Sequence, residues 1–363
     1  MAKKPKTKRD FWETPEEHSK VKHFILKKYL DQWLPKLAQK WAQVAYIDAY
    51  AGRGIYKDGS PGSPIIALEA FKNHALNAKM KEVLFFFLEP DDEAHASLDA
   101  ELMNYEAPTN AKVQWERDTF QEFLESLIEF LRTERGGTQN CPPSFWFIDP
   151  FGLDVEMSSI REVSELPQSE VFLHLMTGHI KRFCNEETHR KSISGLMGDG
   201  TFASVLHSTE STTWDVVEFY GAQIEKHCSR FKYVLPFELI PKKAAHGHHL
   251  VFATQSVHGF IAMKTAMWKV DPTGDYSFSA KQRSLGEFAP MQTLLFEEDK
   301  VASQLSDILI AKYAGQAAVT IDEVVRFVNE ETLYLESHIR KRTLQPMSED
   351  GGNSGQDLDP DPV

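Results

Sequence analysis

The segment at residues 45–56 constrains the fold most, because an apolar run ends there in an acidic residue and turns at once on glycines. It reads AYIDAYAGRGIY, with Asp48 closing the run. Glycine permits a tight turn and lets a ligand approach the backbone closely. The segment therefore predicts a buried strand followed by a nucleotide-cofactor loop, with Ala51, Gly52 and Gly54 among the cofactor-binding residues.

Three further strand-like runs end at acidic residues, namely Glu89, Asp118 and Asp149. The runs are Val83–Leu88, Lys112–Trp115 and Ser144–Asp149, with Glu170–Met176 after them and helical patterns such as Phe120–Leu131 between them. Alternating strands and helices predict an α/β fold with a parallel sheet covered by helices on both faces. Four acidic strand ends on such a Rossmann-like sheet suggest an S-adenosylmethionine-dependent methyltransferase.

Charge and composition exclude several classes of protein. The net charge of -13 argues against indiscriminate coating of nucleic acid, which depends on neutralising phosphates. The sequence shows no apolar run of bilayer length and no signal peptide, so we expect a cytoplasmic protein without a membrane partner. Three widely spaced cysteines form no disulfide framework and no metal motif, so no metal site is expected.

The chain is expected to contain four parts. A basic arm at 1–15 is expected to be disordered, and a methyltransferase-like domain at 16–298 to carry a helical insertion at about 177–230. The domain begins with a helix from Glu16 to about Gln39, with a kink or early end at Pro35. Its last strands, Tyr233–Leu239 and His249–Ala253, are expected to close the sheet as an antiparallel edge. A module at 299–343 and a disordered acidic tail at 344–363 follow.

The C-terminal module is predicted to be helical. Amphipathic patterns at Val301–Tyr313, Ile321–Glu330 and Leu333–Arg342 suggest a winged-helix-like fold. The last of them carries His338, Arg340, Lys341 and Arg342, which would face nucleic-acid phosphates. An equally good interpretation is a solvated helix end whose cations are favoured by the helix dipole.

Each acidic strand end has a chemical role in the methyltransferase interpretation. Asp48 would hold the ammonium group of the cofactor, directly or through water, while amides near Gly52 and Gly54 receive its methionine end. Glu89 would accept hydrogen bonds from both ribose hydroxyls, and Asp118 would accept a hydrogen bond from the adenine amine. The alternative is that these carboxylates cap helices or turns.

The fourth strand end is where the reaction chemistry would occur in this interpretation. Asp149, Pro150 and Phe151 resemble the Asp/Asn-Pro-Pro-Tyr/Phe motif of amino-methyltransferases, in which the carboxylate and the proline carbonyl orient an amine and an aromatic ring stacks on the base. Phe151 replaces the second proline and Gly152 the aromatic residue. The alternative is a buried strand that ends in a proline turn.

An ordered set of segments resembles the three-Cys-motif partner protein family, a group of class I methyltransferase-like proteins. The segments are 18–30, 46–56, 62–64, 147–152, 172–176, 182–183 and 263–271, together with the terminal module. Tyr50 and Arg53 stand where the family more usually has Phe and Pro. The resemblance implies a partner that carries a three-cysteine motif like that of radical S-adenosylmethionine enzymes, and the iron–sulfur ligands belong to that partner.

A more distant likeness concerns the ribosomal-RNA adenine-N6 methyltransferase J family. Lys22-His23 ahead of the glycine loop is similar to its N-terminal helix, which implies that Lys22 and His23 touch cofactor or substrate. The alternative is a residue pair at the solvated border of an amphipathic helix. The histidines of 246–249 lack converging acidic or cysteine ligands and are interpreted as a loop.

Two hypotheses remain open. The first is a methyltransferase acting on an amine of a nucleic-acid base. The second is a catalytically silent, methyltransferase-like accessory protein that binds nucleic acid or the partner enzyme. A nicotinamide-dependent dehydrogenase is a distant third, because the third glycine of its fingerprint is missing after Gly54.

Overall fold

A computed structural model describes residues 13–206, 211–241, 247–273, 275–279, 291–316, 318–339 and 343–344. They form two compact units, the first within 1–270 and 276–287 and the second within 271–275 and 288–363. None of the described helices combines the length and the apolar character that crossing a bilayer requires.

The first unit is built on one sheet of eight strands, in the order β3-β2-β1-β4-β5-β7-β6-β8. The strands are β1 Gln43–Asp48, β2 Glu82–Leu88, β3 Ala111–Glu116, β4 Ser144–Ile148, β5 Ser169–Leu175, β6 Tyr233–Ile240, β7 His248–Thr254 and β8 Ser277–Ser279. Strands β1 to β5 pair in parallel, whereas β7 runs antiparallel to both β5 and β6. The predicted strands are thus confirmed to within a residue or two, and β8 is an addition.

Helices cover both faces of this sheet. They are α1 Glu17–Ala38, α2 Ser63–Lys72, α3 Asp92–Met103, α4 Phe120–Thr133, α5 Met157–Glu165, α6 Thr177–Phe183, α7 Glu187–Met197, α8 Phe202–Leu206, α9 Thr213–His227 and α10 Val257–Trp268. Alternate residues of the central strands face opposite ways, as strand geometry requires. Ile47 and Trp146 pack with α4 and α5, whereas Tyr46 and Phe145 face the other side, where Tyr29 of α1 lies 5.0 Å from the Phe145 ring.

Local sequence accounts for the helix bounds nearest the sheet edge. Thr119 and Glu122 form a reciprocal capping box at the start of α4. Pro35 does not end α1, which continues to Ala38 with Pro35 buried in its last turn.

The second unit contains α11 Met291–Tyr313, α12 Ile321–Glu331 and a short 3₁₀ turn at Glu336–His338. Its core includes Leu305, Leu309, Val324, Val328 and Ile339. The predicted boundary at 298/299 therefore falls inside α11.

The prediction of a third helix at Leu333–Arg342 is wrong over residues 333–339. Thr332 donates to the Val328 carbonyl at 2.8 Å and accepts from the Tyr334 amide at 3.1 Å, so its side chain competes for the backbone groups that would continue the helix. His338, predicted to face phosphates, is buried at 5% exposure. Arg340, Lys341 and Arg342 lie outside the described residues, as do 1–12 and 345–363. The winged-helix fold stays a prediction.

Candidate active site

Polar side chains from five neighbouring strands meet along one edge of the sheet. Glu89 follows β2, Asp48 ends β1, Asp149 follows β4, His174 lies near the end of β5 and His248 opens β7. The first four strands are parallel and present their carboxyl ends at this edge. Because β7 is antiparallel to β5, its first residue lies at the same edge.

The glycine loop adopts the backbone conformation that its sequence predicts. Gly52 and Gly54 have φ of 63° and 74°, in the left-handed region that favours glycine. A Cβ at Gly54 would meet the Leu98 side chain at 3.0 Å. The Ala51 amide donates to the Leu88 carbonyl at 2.9 Å, which fastens the loop to the end of β2.

Glu89 holds the glycine loop from the neighbouring strand. It is buried at 6% exposure, and its two oxygens accept the amides of Gly52 and Asp91, each at 2.9 Å. Burial raises the pKa of Glu89, and these two hydrogen bonds oppose that shift. Each carboxylate oxygen keeps further acceptor capacity for a ligand hydroxyl.

Asp48 is fully buried beneath the same loop. It accepts the Tyr50 amide at 3.4 Å and a hydrogen bond from the Ser63 side chain. Burial raises the pKa of Asp48 to about 7, against the Ser63 hydrogen bond, which lowers it. Within the described part of the chain no ion pair involves Asp48 or Glu89. Asp118 lies one strand beyond Glu89, partly exposed just after β3.

Asp149 has a very different environment. Lys22 lies on the first turns of α1, its side chain is 6% exposed, and its ammonium group donates a hydrogen bond to Asp149 Oδ2. His174 Nδ1 lies 2.8 Å from Asp149 Oδ1. Burial alone would raise the pKa of Asp149. The Lys22 charge and the His174 hydrogen bond outweigh burial and hold that pKa well below its usual range. Lys22, predicted to touch cofactor or substrate, is paired with a carboxylate in this structure.

Two histidines that the sequence does not predict as site residues, His174 and His248, extend the cluster of polar side chains at Asp149. His174 Nε2 lies 3.0 Å from His248 Nδ1, and the His248 ring stacks on His18 of α1 with centroids 5.1 Å apart. His174 lies within a predicted strand and His248 within residues 246–249, a predicted loop. Nothing in the sequence around either histidine indicates a site residue. Only the pairing of β5 with β7 brings them together.

The remaining residues of the motif lie where a ligand could reach them. Pro150 is buried and Phe151 is 61% exposed, directly after Asp149. His23, next to Lys22, is buried with its ring centroid 6.3 Å from that of Tyr56 in the glycine loop, and burial lowers the pKa of His23 to about 3.

No protein-family model matches the chain, and no curated protein matches it significantly. Solved structures do match, at low identity. A Legionella pneumophila protein is 12% identical, with 72% of this chain and 92% of that chain covered and a TM-score of 0.43. The methyltransferase domain of bacterial CtHen1 is 10% identical over 64% of this chain and all of that one, with a TM-score of 0.31.

The O-methyltransferase TomG from Streptomyces achromogenes, solved with S-adenosylmethionine, is 11% identical, with 67% and 91% covered and a TM-score of 0.34. Scores this low carry no argument about activity. The conclusion on fold rests on the sheet itself, with its parallel strands β1 to β5, its antiparallel β7 and helices on both faces. The chain therefore has the Rossmann-like α/β fold that its sequence predicts, with a parallel sheet continued by the antiparallel pair β6 and β7.

Proposed function

We propose that the protein is an S-adenosylmethionine-dependent methyltransferase whose acceptor is a neutral amine, that of a nucleic-acid base. The observation that carries this proposal is the pair of buried carboxylates, Asp48 and Glu89, at the glycine loop. Burying carboxylates without cationic partners costs free energy, so such an arrangement is typical of a site that a ligand completes.

The cofactor matches what these two carboxylates lack. S-adenosylmethionine carries an ammonium group, which would pair with Asp48, and two ribose hydroxyls, which would donate to Glu89. The left-handed turn at Gly52 and Gly54 leaves the backbone accessible to the methionine end. Bound cofactor would supply an electrophilic methyl group to the half of the sheet edge that contains Asp149, which we call the acceptor side.

The acceptor side favours a neutral amine over an ammonium group. Lys22 already balances the charge of Asp149, so the pair attracts a further cation only weakly. Asp149 stays ionised and retains acceptor capacity on both oxygens, so it can accept an N–H and direct the nitrogen lone pair toward the methyl group. The exposed Phe151 ring beside it would stack on a base.

The partner and the nucleic acid belong to the same proposal. The resemblance to three-Cys-motif partner proteins includes the segment 18–30, and His18 and Lys22 of that segment lie in the described site. In this proposal the segment shared with that family contributes directly to the site. We propose a radical-enzyme-like partner that works with this methyltransferase on the same nucleic acid.

One observation favours the second candidate, a catalytically silent accessory protein. Both oxygens of Asp149 already accept hydrogen bonds from the protein, through Lys22 and His174. A carboxylate held this way could serve stability alone. The two candidates differ in whether a methyl group is transferred.

Calorimetry with S-adenosylmethionine and with NAD tests the cofactor first, and binding of the former alone is expected. Transfer of a tritiated methyl group to unmodified DNA and RNA oligonucleotides then tests catalysis. Asp149→Ala should abolish transfer with little change in cofactor affinity, whereas the exposed Asp154→Ala serves as the matched control. Equal turnover in Asp149→Ala and wild type would exclude the catalytic role.

A further inference from the structure

Three histidine rings from three separate elements stand in a row behind Asp149. His174 and His248 have ring centroids 5.0 Å apart and an interplanar angle of 21°, and His248 and His18 have 5.1 Å and 11°. The row begins at Asp149 Oδ1 and ends where His18 Nδ1 lies 3.3 Å from Glu16 Oε2. The geometry ties α1, β5 and β7 to a single carboxylate.

Hydrogen-bond chemistry allows one proton arrangement for the inner part of this row. An ionised Asp149 can only accept, so His174 Nδ1 must carry the proton. In a neutral ring Nε2 is then an acceptor, and His248 Nδ1 must donate to it across 3.0 Å. His248 Nε2 is left without a proton, and the N–H groups of both rings point toward Asp149.

The surroundings keep both rings neutral. The titratable groups that act on them include Lys22, Asp149, His18 and the neighbouring His249, and the Lys22 ammonium opposes any further positive charge. Burial and then Lys22 lower the pKa of His174, and burial followed by His174 and His18 lowers that of His248 to about 2. Burial lowers the pKa of His18 to about 4. The proton arrangement therefore persists through the neutral range.

We infer that His174 and His248 are positioning residues: His248 donates a hydrogen bond to His174 and holds its ring in place, and His174 fixes the plane of the Asp149 carboxylate between its own N–H and the Lys22 ammonium. The remaining acceptor sites of Asp149 are then held in fixed positions. This inference rests on the proposed function for its purpose, because the acceptor amine is what the carboxylate would orient. Its hydrogen-bond pattern can be tested without any acceptor.

The first test is nitrogen NMR of protein labelled with ¹⁵N-histidine, at neutral pH and without ligand. We expect His174 and His248 each to carry the proton on Nδ1 and none on Nε2. In His248→Phe, which keeps a ring against His18 but has no N–H to donate, His174 should keep its Nδ1 proton, and its Nε2 signal should move to the position of a nitrogen without a hydrogen bond. A His174 protonated on Nε2, or on both nitrogens, would overturn the inference.

The second test uses two amide replacements that differ in where they place a donor. Asn at position 174 puts its nitrogen near the place of Nδ1, toward Asp149, whereas Gln puts it near Nε2, toward His248. With unmodified DNA and RNA oligonucleotides as acceptors, His174→Gln should lose about tenfold or more in kcat while His174→Asn keeps most of it. KM for S-adenosylmethionine should be unchanged in both, and equal losses would contradict a positioning role.

Calorimetry separates the two levels of failure. If S-adenosylmethionine does not bind the wild-type protein but the tautomers are as expected, the proposed function fails and the hydrogen-bond pattern stands. If the cofactor binds and the tautomers are reversed, the positioning role fails alone. Thermal melts of the variants identify any loss caused by misfolding, and the wild-type NMR measurement does not depend on them.

Discussion

Both halves of the sheet edge carry carboxylates at strand ends, but the pKa values of those carboxylates are shifted in opposite directions. On the glycine-loop side, Asp48 and Glu89 are buried with raised pKa values and accept hydrogen bonds from backbone amides and from Ser63. On the other side, Asp149 has a lowered pKa because Lys22 and His174 contact it directly. Carboxylates at equivalent strand ends therefore differ in their hydrogen-bond partners and in the direction of their pKa shifts. In the proposed function the first half is completed by the cofactor, whereas the charge of Asp149 in the second half is already balanced by Lys22.

The largest effect is expected from Lys22→Met, which removes the buried ammonium that pairs with the partly exposed carboxylate of Asp149. Breaking a fully buried ion pair typically costs about 3–5 kcal/mol, so for this partly exposed pair the free energy of unfolding should fall by up to about 3 kcal/mol at neutral pH. Urea denaturation measures it. Lys20→Met on the same helix is the control, because Lys20 is 40% exposed and pairs with Glu17 at the surface.

The double variant Lys22→Met with Asp149→Asn extends this test. Removing the charge of Asp149 should restore most of the stability lost in Lys22→Met, since no unpaired ion remains. If the two losses add instead, Lys22 acts through packing of its alkyl chain, and the contrast between the two halves disappears.

A smaller effect is expected from Glu89→Ala on S-adenosylmethionine binding. Loss of the acceptor for two ribose hydroxyls should weaken affinity by about 1.5–3 kcal/mol, measured by calorimetry. Glu106→Ala, at an exposed position beyond the end of α3, is the control and should leave affinity unchanged. Unchanged affinity in a folded Glu89→Ala protein would show that Glu89 only stabilises the glycine loop.

Asp48 predicts a pH dependence of cofactor binding. With a pKa of about 7, Asp48 is mostly protonated at pH 6 and must lose that proton to pair with an ammonium. Affinity for S-adenosylmethionine should therefore fall by up to about tenfold per pH unit below 7. Asp48→Asn should bind weakly and without this slope. A wild-type affinity that is flat from pH 6 to 7 would contradict the pairing.

Stability should show the opposite sign for the same group. Because burial raises its folded-state pKa above the unfolded value, Asp48 contributes stability at low pH that is lost as pH rises toward 7. Asp48→Asn removes this penalty, so we expect it to gain roughly 1–3 kcal/mol at pH 8. Chemical denaturation of both proteins at pH 5 and pH 8 measures the change.

The smallest effect is expected from Ser63→Ala. Its side-chain hydrogen bond lowers the pKa of Asp48, so removing it should raise that pKa further and shift the pH midpoint of cofactor binding upward. The loss of one hydrogen bond to a charged group corresponds to about 1.5 kcal/mol. A midpoint unchanged in titration calorimetry would assign Ser63 to the start of α2 alone.

Sequence reasoning reached the features that are local in the chain. The glycine loop, the strand ends Asp48, Glu89 and Asp149, and the bounds of most strands follow from patterns within a few residues. The partners of Asp149 are not local. His174 and His248 are 74 residues apart and meet only through the antiparallel pairing of β7. The turn at Glu336–His338 was missed because the Thr332 side chain overrides a helical pattern.

The Lys22–Asp149 contact joins residues separated by 127 positions. Closing so long a stretch of chain is entropically expensive, and the contact forms only when α1 is docked on a sheet that already contains β4. A chain still emerging from synthesis therefore carries Lys22 and Asp149 separately in water. The proposed acceptor site acquires its charge balance only when the central sheet has assembled, so we expect partly folded chains to lack it.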